Sequence, residues 1–555
     1  MSETRVKEQE YKYFVKPENE TCYDYLLGCY RRISADVGEY PAFQIFGCDV
    51  SMQDFINEIE ALAAFLYARG VRENDVAAVF LPTCAHGMTA FYALSKLGAI
   101  TEMIHPLTPP AALKHMLQKT GAKTVFLLDR AAVPYAEAVG DREMIVCSFS
   151  DHVRGEKGAA MRVGEAQLPL PAGANAVRYR DAVASGCPAA PAAEKDARET
   201  AVYMHGSGTT GESRTVCLSA YAINAVAYSQ YFIDCYHEYG KSYSLCVLPF
   251  FHAFGLGASL HYCTCNAYTP ILVPKFDAVA VNDLIAKNNV QYISGVPNMF
   301  YKMFAAENFE NPGLKNLTVL YSGGDIVNEA FIEQITAVLR KHGSPATLFR
   351  GWGLTEMCAV CSTNNHLASR KGSIGKVGKG LAVKVVDEDM NTLPAGENGE
   401  ICLTGETMMN GYLDAPESGI VYDAAGTPWV RTGDMGYVDE DGFIFFTGRK
   451  KRIIVISGYN VYPYSIEQSI ATLPFVREAC AVQGYLDTGK PCVKLCLSLK
   501  EGAPDEETVR AQTLAFCERE LDHFAVPRKI EFMEALPRTK MDKLDFMAMS
   551  DKVPE

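Results

Sequence analysis

The sequence lacks a surplus of positive charge, a secretory leader and an uninterrupted apolar run of membrane-spanning length. Its 52 lysine and arginine residues are outnumbered by 66 aspartate and glutamate residues, which gives a formal net charge of -14. A chain without a basic surplus has no electrostatic footprint for a phosphate backbone, so we expect no nucleic-acid partner. Residues 1–10 are charged throughout and contain no apolar core of a signal peptide, so we expect no export.

The most apolar stretch, 245–274, is interrupted by two histidines, an asparagine and three prolines. This pattern favours a buried strand and helix, and we predict no transmembrane helix. The 18 cysteines are scattered without the spacing of a disulfide framework, and a chain of 555 residues does not need disulfides to be stable. We therefore expect a reducing compartment, the cytoplasm.

Secondary-structure signals alternate along the first part of the chain. Apolar residues recur at helical spacing and are followed by short apolar runs typical of buried strands. Strands that alternate with helices predict a parallel sheet covered on both faces. The pattern predicts helices near 51–69, 87–97 and 111–120 and strands near 76–81, 100–104 and 123–128.

The length of 555 residues predicts more than one domain. We place the boundary near Gly448, which gives a large domain over 1–447 and a small domain over 448–555. Residues 155–196 are rich in alanine, proline and glycine, which predicts a loop or an insertion. In the small domain the pattern predicts short strands at 453–456 and 493–499 and a helix near 506–521.

A loop rich in glycine and hydroxyl residues follows a strand-like run at 203–216. Its glycines let the backbone approach a ligand, and its hydroxyls and amides can donate to phosphate oxygens. Taken alone, such a loop is as compatible with an unliganded turn as with phosphate binding. The candidate phosphate contacts are Ser207, Gly208, Thr209, Thr210, Gly211 and Arg214.

Six further motifs follow this loop in order. Together with the loop they resemble, over nearly the whole chain, the adenylate-forming superfamily of acyl-CoA synthetases, free-standing adenylation domains and firefly luciferase. The resemblance implies a large multi-lobed α/β domain, with parallel-rich sheets, helices and a β-rich lobe, and a small mobile α+β C-terminal domain. The motifs are Leu248-Pro-Phe-Phe-His-Ala-Phe-Gly-Leu-Gly257, Tyr321-Ser-Gly-Gly-Asp325, Gly351-Trp-Gly-Leu-Thr-Glu356, Arg431-Thr-Gly-Asp434, Gly448-Arg-Lys-Lys451 and Leu536-Pro-Arg-Thr-Lys-Met-Asp-Lys543.

The reaction implied by the resemblance is attack of a carboxylate on the α-phosphorus of ATP. Two anions are brought together, so cations and hydrogen-bond donors must screen their repulsion. By resemblance, Glu356 is the Mg²⁺ ligand, Thr355 contacts phosphate and Lys543 is the mobile catalytic lysine. Without the surrounding motifs, these residues would be read as a surface glutamate and an exposed tail lysine.

The nucleotide site is likewise implied by the resemblance. Asp434 matches the ribose clamp, and Arg449 matches its companion at the domain boundary. Trp352 offers a flat face for adenine, with Gly323 and Gly324 lining the opposite side of the slot. The alternative for Trp352 is a buried core aromatic.

The remaining candidates concern the acyl group and the thiol. Lys451 resembles the hinge about which the small domain turns, and Gly458 lies near the thiol channel. His252 and Phe254 match the acyl site, although a core histidine is the alternative for His252. Gly353 occupies the place where acetate-specific relatives carry a tryptophan that shortens the pocket, so we expect an acid larger than acetate.

The sequence departs from the family pattern at two places. Ser213, Arg214 and Thr215 stand where relatives carry Pro-Lys-Gly, and Asp542 replaces the glycine before Lys543. Arginine keeps the positive charge but presents it as a planar fork. These changes bear on the rate more than on the class of reaction.

Three functions remain open from the sequence. The first is an acyl-CoA synthetase that uses Mg²⁺, ATP and coenzyme A to activate a fatty or aromatic carboxylate. An amino acid is disfavoured because 250–254 contains no acidic residue to hold an ammonium group. The second is a ligase that loads the phosphopantetheine thiol of a carrier protein, against which the lack of a carrier domain after Glu555 weighs slightly. The third is a nucleotide-binding relative without turnover.

Overall fold

The computed structural model describes residue 13 and residues 15–165, 168–206, 214–229, 237–456, 459–538 and 544–552.

The strands form two large sheets, which are built from the first 377 residues and one short later strand, then a β-rich lobe and two small sheets at the C-terminal end. They are β1 (Pro41–Ile45), β2 (Cys48–Ser51), β3 (Val76–Phe80), β4 (Ile100–Met103), β5 (Thr124–Leu128), β6 (Glu143–Cys147), β7 (Ala176–Arg178), β8 (Thr200–His205), β9 (Thr215–Ser219), β10 (Tyr243–Cys246), β11 (Thr269–Leu272), β12 (Val290–Gly295), β13 (Val319–Ser322), β14 (Leu348–Leu354), β15 (Ala359–Thr363), β16 (Lys376–Val377), β17 (Leu381–Val386), β18 (Gly399–Gly405), β19 (Gly411–Tyr412), β20 (Ile420–Tyr422), β21 (Pro428–Val438), β22 (Ile444–Arg449), β23 (Ile454–Ile456), β24 (Tyr459–Val461), β25 (Val476–Tyr485), β26 (Pro491–Leu499) and β27 (Lys529–Phe532).

The helices lie mostly between the strands of the two large sheets. They are α1 (Cys22–Val37), α2 (Met52–Ala68), α3 (Ala85–Lys96), α4 (Pro110–Thr120), α5 (Asp129–Val139), α6 (Gly155–Glu165), α7 (Tyr179–Val183), α8 (Ala220–Ser229), α9 (Tyr262–Cys265), α10 (Ala278–Lys287), α11 (Pro297–Ala305), α12 (Glu329–Lys341), α13 (Pro463–Ile470), α14 (Glu506–Glu520) and α15 (Phe546–Met549), with a π-helix at Phe254–His261 and 3-10 turns at Phe149–His152, Pro312–Asn316, Thr355–Met357, Lys450–Arg452 and His523–Ala525.

Helix α2 illustrates how the periodic segments fold as predicted. The Ser51 side chain caps its first turn by accepting a hydrogen bond from the Asp54 N–H at 3.0 Å. Its apolar face, which includes Phe55 and Leu62, is fully buried in the largest core cluster. The chain leaves the helix at Gly70, whose φ of +93° favours glycine. The predicted helices and strands between 51 and 128 are all confirmed, with ends shifted by a few residues.

The first large sheet has the order β19-β9-β8-β4-β3-β5-β6-β7. The six strands from β8 to the edge strand β7 are all parallel to their neighbours in this group. The second has the order β16-β15-β14-β13-β12-β10-β11-β1-β2, in which β14 to β1 are parallel. One core cluster takes residues from both sheets and from the helices around them. These parallel sheets confirm the α/β character predicted for the large domain.

The β-rich lobe is a five-stranded antiparallel sheet of β17, β18, β20, β21 and β22. The chain then forms a short β23–β24 hairpin and the three-stranded sheet β25-β26-β27. The core of this last part draws all its buried residues from position 454 onward. The chain therefore ends in a unit with its own α+β core, while the boundary at 448 stays a prediction.

The prediction of a loop or insertion over 155–196 is wrong in part. This segment contains α6, β7 and α7, and β7 extends the first large sheet by pairing with β6. The strand is only three residues long and half-buried, so it leaves no apolar run in the sequence. A bilayer-spanning helix, which needs about 20 mostly apolar residues, does not occur among the described residues.

Candidate functional site

The site lies where the parallel strands β13 and β14 end and the β-rich lobe approaches them. Gly323 follows β13, and its N–H donates to the Gly295 carbonyl at 3.0 Å. A Cβ at Gly323 would lie 3.2 Å from the Phe254 ring, and Gly324 has a φ of +79° that favours glycine. Ligands commonly bind at the carboxyl ends of parallel strands, so this geometry suits the slot predicted around Gly323 and Gly324.

Asp434 connects the second large sheet to the β-rich lobe. The Trp352 indole N–H at the end of β14 donates to Asp434 Oδ2 at 2.7 Å. The Arg449 guanidinium lies 2.8 Å from Oδ1 as an ion pair, since Asp434 on β21 pairs directly with Arg449 on β22. The Arg449 contact does not have hydrogen-bond geometry, and no other donor among the described residues reaches this buried oxygen. The carboxylate therefore keeps a buried acceptor, which suits a ribose hydroxyl.

The environment of Asp434 makes its charge costly. The side chain is 1% exposed, and this burial raises the pKa of Asp434 to about 6 even though Arg449 and Trp352 act in the opposite direction. A strongly shifted carboxyl beside a fixed cation is typical of a functional site.

Glu400 on β18 holds the part of the β-rich lobe that lies next to Asp434 in the chain. Its carboxylate contacts Arg431 and Lys450, the latter at 3.0 Å, and accepts a hydrogen bond from the Gly433 N–H at 3.3 Å. Burial opposes its charge, but Arg431 and Lys450 keep the pKa of Glu400 below the ordinary value. Glu400 thus anchors the turn before Asp434 and the start of the 3-10 turn that contains the predicted hinge.

Thr355 and Glu356 form a 3-10 turn between β14 and β15. The next residues, Cys358 and Ala359, have φ values of +55° and +101°, which non-glycine residues adopt only at a cost. The Glu356 Oε1 accepts a hydrogen bond of 2.7 Å from the Tyr412 hydroxyl. Strained backbone is thus retained beside the predicted Mg²⁺ ligand and phosphate contact.

The predicted phosphate loop lies between β8 and β9, which pair antiparallel. The Gly206 N–H donates to the Arg214 carbonyl at 3.0 Å and closes the base of the loop. The Arg214 guanidinium lies 5.0 Å from the centre of the Tyr412 ring. The structure therefore brings Arg214 and Glu356 to the same tyrosine. Ser207, Gly208, Thr209, Thr210 and Gly211 lie outside the described residues.

The other predicted residues are placed as follows. His252 is half-buried beside the Phe251 ring, whose centre lies 4.9 Å from that of the imidazole. Lys451 is exposed in the 3-10 turn that follows β22. Gly458 and Lys543 lie outside the described residues. The roles given to all these residues stay predictions.

Gly353 is held by strand pairing. A Cβ at this position would lie 1.5 Å from the Ala359 carbonyl oxygen, at the bulge where the β14–β15 register shifts. The strands must separate to admit any side chain, so glycine has a structural reason here. The inference that Gly353 lengthens the acyl pocket stays a prediction.

Replacing Gly353 with alanine is expected to destabilise the protein by about 3 kcal/mol, because overpacking against backbone cannot be relieved by a rotamer change. Urea unfolding followed by circular dichroism measures the change. Gly378→Ala is the matched control, since its Cβ would lie 3.8 Å from the nearest atom. Equal stability of the two variants would contradict the steric argument.

Sequence reasoning missed three contributions to the site. Tyr412 lies on a two-residue strand and Glu400 within an apolar one, and the indole N–H of Trp352 was not considered as a donor to Asp434. For Glu400 the charged residue in the run 399–403 was a usable signal, because buried charges are paired. For Tyr412 no signal was available, because a two-residue strand is too short to show a periodic pattern.

The sequence matches two family models, the AMP-binding enzyme over residues 31–413 and the AMP-binding enzyme C-terminal domain over residues 465–543. A long-chain-fatty-acid–CoA ligase of Escherichia coli O6:H1 (strain CFT073) is 25% identical over 544 residues, covering 95% of this chain and 94% of the relative. One of Bacillus subtilis (strain 168) is 27% identical over 519 residues, covering 91% and 90%.

Solved structures share the fold. ATP-bound MatB from Rhodopseudomonas palustris superposes with a TM-score of 0.78 at 21% identity, covering 96% of this chain and 98% of the other. A benzoate CoA ligase from Burkholderia xenovorans LB400 gives 0.79 at 18% identity, covering 96% and 100%. Since the AMP-binding enzyme model spans more than half of the chain, the protein belongs to that family, within the adenylate-forming acyl-CoA synthetase superfamily, and is an acid–thiol ligase.

Proposed function

We propose that the protein converts a fatty or aromatic carboxylate larger than acetate to its acyl-adenylate with ATP and transfers the acyl group to coenzyme A. The proposal rests on one observation above all. The Trp352–Asp434–Arg449 cluster, at the ends of the parallel strands, holds a buried carboxylate whose Oδ1 is paired with Arg449 but accepts no hydrogen bond from the described residues. A ribose hydroxyl is a donor that suits this acceptor, and the family binds a nucleotide.

The chemistry of Glu356 fits a magnesium ion. One carboxylate oxygen is fixed by Tyr412, and no donor within the described part of the chain binds the other. Mg²⁺ is commonly held by one or two carboxylates together with substrate phosphates. Glu356 would hold the ion in this way, and the bound ion would neutralise phosphate charge during attack by the carboxylate.

Positive charges of the chain would complete the screening. Arg214 ends the glycine-rich loop, and Lys543 matches the catalytic lysine of the resemblance. Their charge is needed where the carboxylate meets the α-phosphate, because both reactants are anions. Arg449 is already engaged with Asp434, so we assign it to the nucleotide and not to the reacting centre.

The substrate class is supported by the sequence around the site and by the relatives. Residues 250–254 contain no acidic group for an amino-acid ammonium, and Phe254 lies against Gly323 at the slot. The relatives are named for fatty acids and the structural neighbour for benzoate. An apolar acid therefore suits this site better than a polar one.

Pyrophosphate release with magnesium ATP tests the proposal across alkyl and aryl acids from short to long, with and without coenzyme A. Mass spectrometry of the product identifies the thioester. We expect release for one class of acid, with stimulation by coenzyme A. Release that requires a carrier protein instead would identify the alternative acceptor, and no release with any acid would contradict the proposed substrate class.

A further inference from the structure

Tyr412 lies between two predicted ligand-binding groups that are far apart in the sequence. Strand β19 pairs antiparallel with β9, so Tyr412 lies opposite Val216, two residues after Arg214. Hydrogen bonds of 2.9 Å from the Asn410 N–H to the Cys217 carbonyl and from the Leu413 N–H to the Thr215 carbonyl fix this register. The ring is thus held beside the end of the glycine-rich loop by backbone pairing.

The hydroxyl of Tyr412 orients Glu356. It donates to Glu356 Oε1 at 2.7 Å, and the Tyr412 side chain is only 8% exposed. The same segment is tied to the same glutamate a second time, because the Met409 N–H donates to the Glu356 carbonyl at 2.9 Å. A carboxylate bonded in this way presents its second oxygen in one direction.

The ring of Tyr412 lies beside the guanidinium group of Arg214. The Arg214 guanidinium carbon lies 5.0 Å from the ring centre, and Arg214 Nη1 donates to Ser418 Oγ at 3.4 Å. A planar guanidinium stacks on an aromatic face in a way that a lysine ammonium does not. Tyr412 therefore offers a contact surface that suits Arg214, the arginine that stands where relatives carry lysine.

We propose that Tyr412 is a positioning residue that holds Glu356 with its hydroxyl and Arg214 with its ring, and so couples the metal ligand to the arginine that ends the glycine-rich loop. This role rests on the proposed ATP-dependent function. A tyrosine hydroxyl is protonated throughout the neutral range and can donate to a carboxylate.

The two contacts can be separated by substitution. Tyr412→Phe keeps the ring beside Arg214 and removes the hydroxyl, whereas Tyr412→Leu removes both contacts. The measurement is calorimetric titration with ATP, without any acid, at a series of Mg²⁺ concentrations and in EDTA. Because no turnover occurs, the titration reports binding alone.

We expect Tyr412→Phe to raise the Mg²⁺ concentration needed for half of the full gain in ATP affinity by about tenfold, as for other residues that orient a metal ligand. Its metal-free ATP affinity should equal that of the wild type. Tyr412→Leu should show the same shift in Mg²⁺ dependence. In addition, its metal-free ATP affinity should fall by roughly two- to fivefold, because the ring contact with Arg214 is lost. The control Tyr422→Phe removes a hydroxyl from a 60% exposed tyrosine and should change neither value.

A Mg²⁺ dependence of Tyr412→Phe that coincides with the wild-type curve would overturn the positioning role. Thermal unfolding of each variant identifies loss of fold, and the near-isosteric phenylalanine variant decides the question if the leucine variant does not fold. The proposed function fails separately: in that case the wild-type protein makes no thioester from any acid.

Discussion

Replacing Lys543 with alanine is expected to slow acyl-adenylate formation by about 10²- to 10³-fold, the usual loss when one preorganised donor to a developing charge is removed. The family model of the C-terminal domain ends at residue 543, and the residues on each side are anchored. Arg538 pairs with Leu544, and the Asp545 N–H donates to the Pro537 carbonyl at 2.8 Å. The residues on either side of the segment that carries Lys543 are therefore bound to each other.

Two half-reactions distinguish a catalytic role from general damage. Acid-dependent exchange of labelled pyrophosphate into ATP reports the first, and thioester formation from synthetic acyl-adenylate and coenzyme A reports the second. Lys543→Ala should lose the first and retain the second. Lys540→Ala, a lysine three residues earlier in the same segment, is the matched control. Unchanged exchange in Lys543→Ala would show that the catalytic assignment is wrong.

The sequence predicted the periodic parts of the fold and the order of the site motifs. Helix α2 and strand β3 carry their own signal, since a cap, an apolar face and a terminating glycine are all local. Likewise, the motif that contains Glu356 and the motif that contains Asp434 are each a single continuous stretch of sequence. What could be predicted is thus what a short stretch of sequence specifies by itself.

The unpredicted parts depend on contacts between distant residues. Tyr412 reaches Glu356 across 56 positions and Trp352 reaches Asp434 across 82, and neither contact leaves a periodic pattern. Strand β7 is recruited by the edge of an existing sheet, so its own composition did not reveal it. The conformation of a two- or three-residue strand is decided by its partner.

Asp434 provides the second large effect, through the pH dependence of nucleoside binding. Asp434→Asn is expected to weaken adenosine binding at pH 7.5 by about 10- to 100-fold, because a hydrogen bond to a charged group contributes about 1.5–3 kcal/mol. Adenosine is the suitable probe, since it carries no phosphate that titrates near neutrality. The asparagine keeps the shape of the side chain and loses only its charge and one acceptor.

The direction of the pH effect follows from the raised pKa. In the free protein burial brings the pKa of Asp434 to about 6, and the ionised form is the one that accepts from ribose hydroxyls. Binding therefore releases a proton below pH 6, and wild-type affinity for adenosine should fall as pH decreases, by up to about tenfold per unit. Calorimetric titration between pH 5 and 8, roughly one to two units on each side of that pKa, measures this dependence. Asp434→Asn should bind with nearly the same weak affinity throughout, because its amide does not titrate. If the variant followed the wild-type pH curve, another group would control binding and the ribose-clamp assignment of Asp434 would fail.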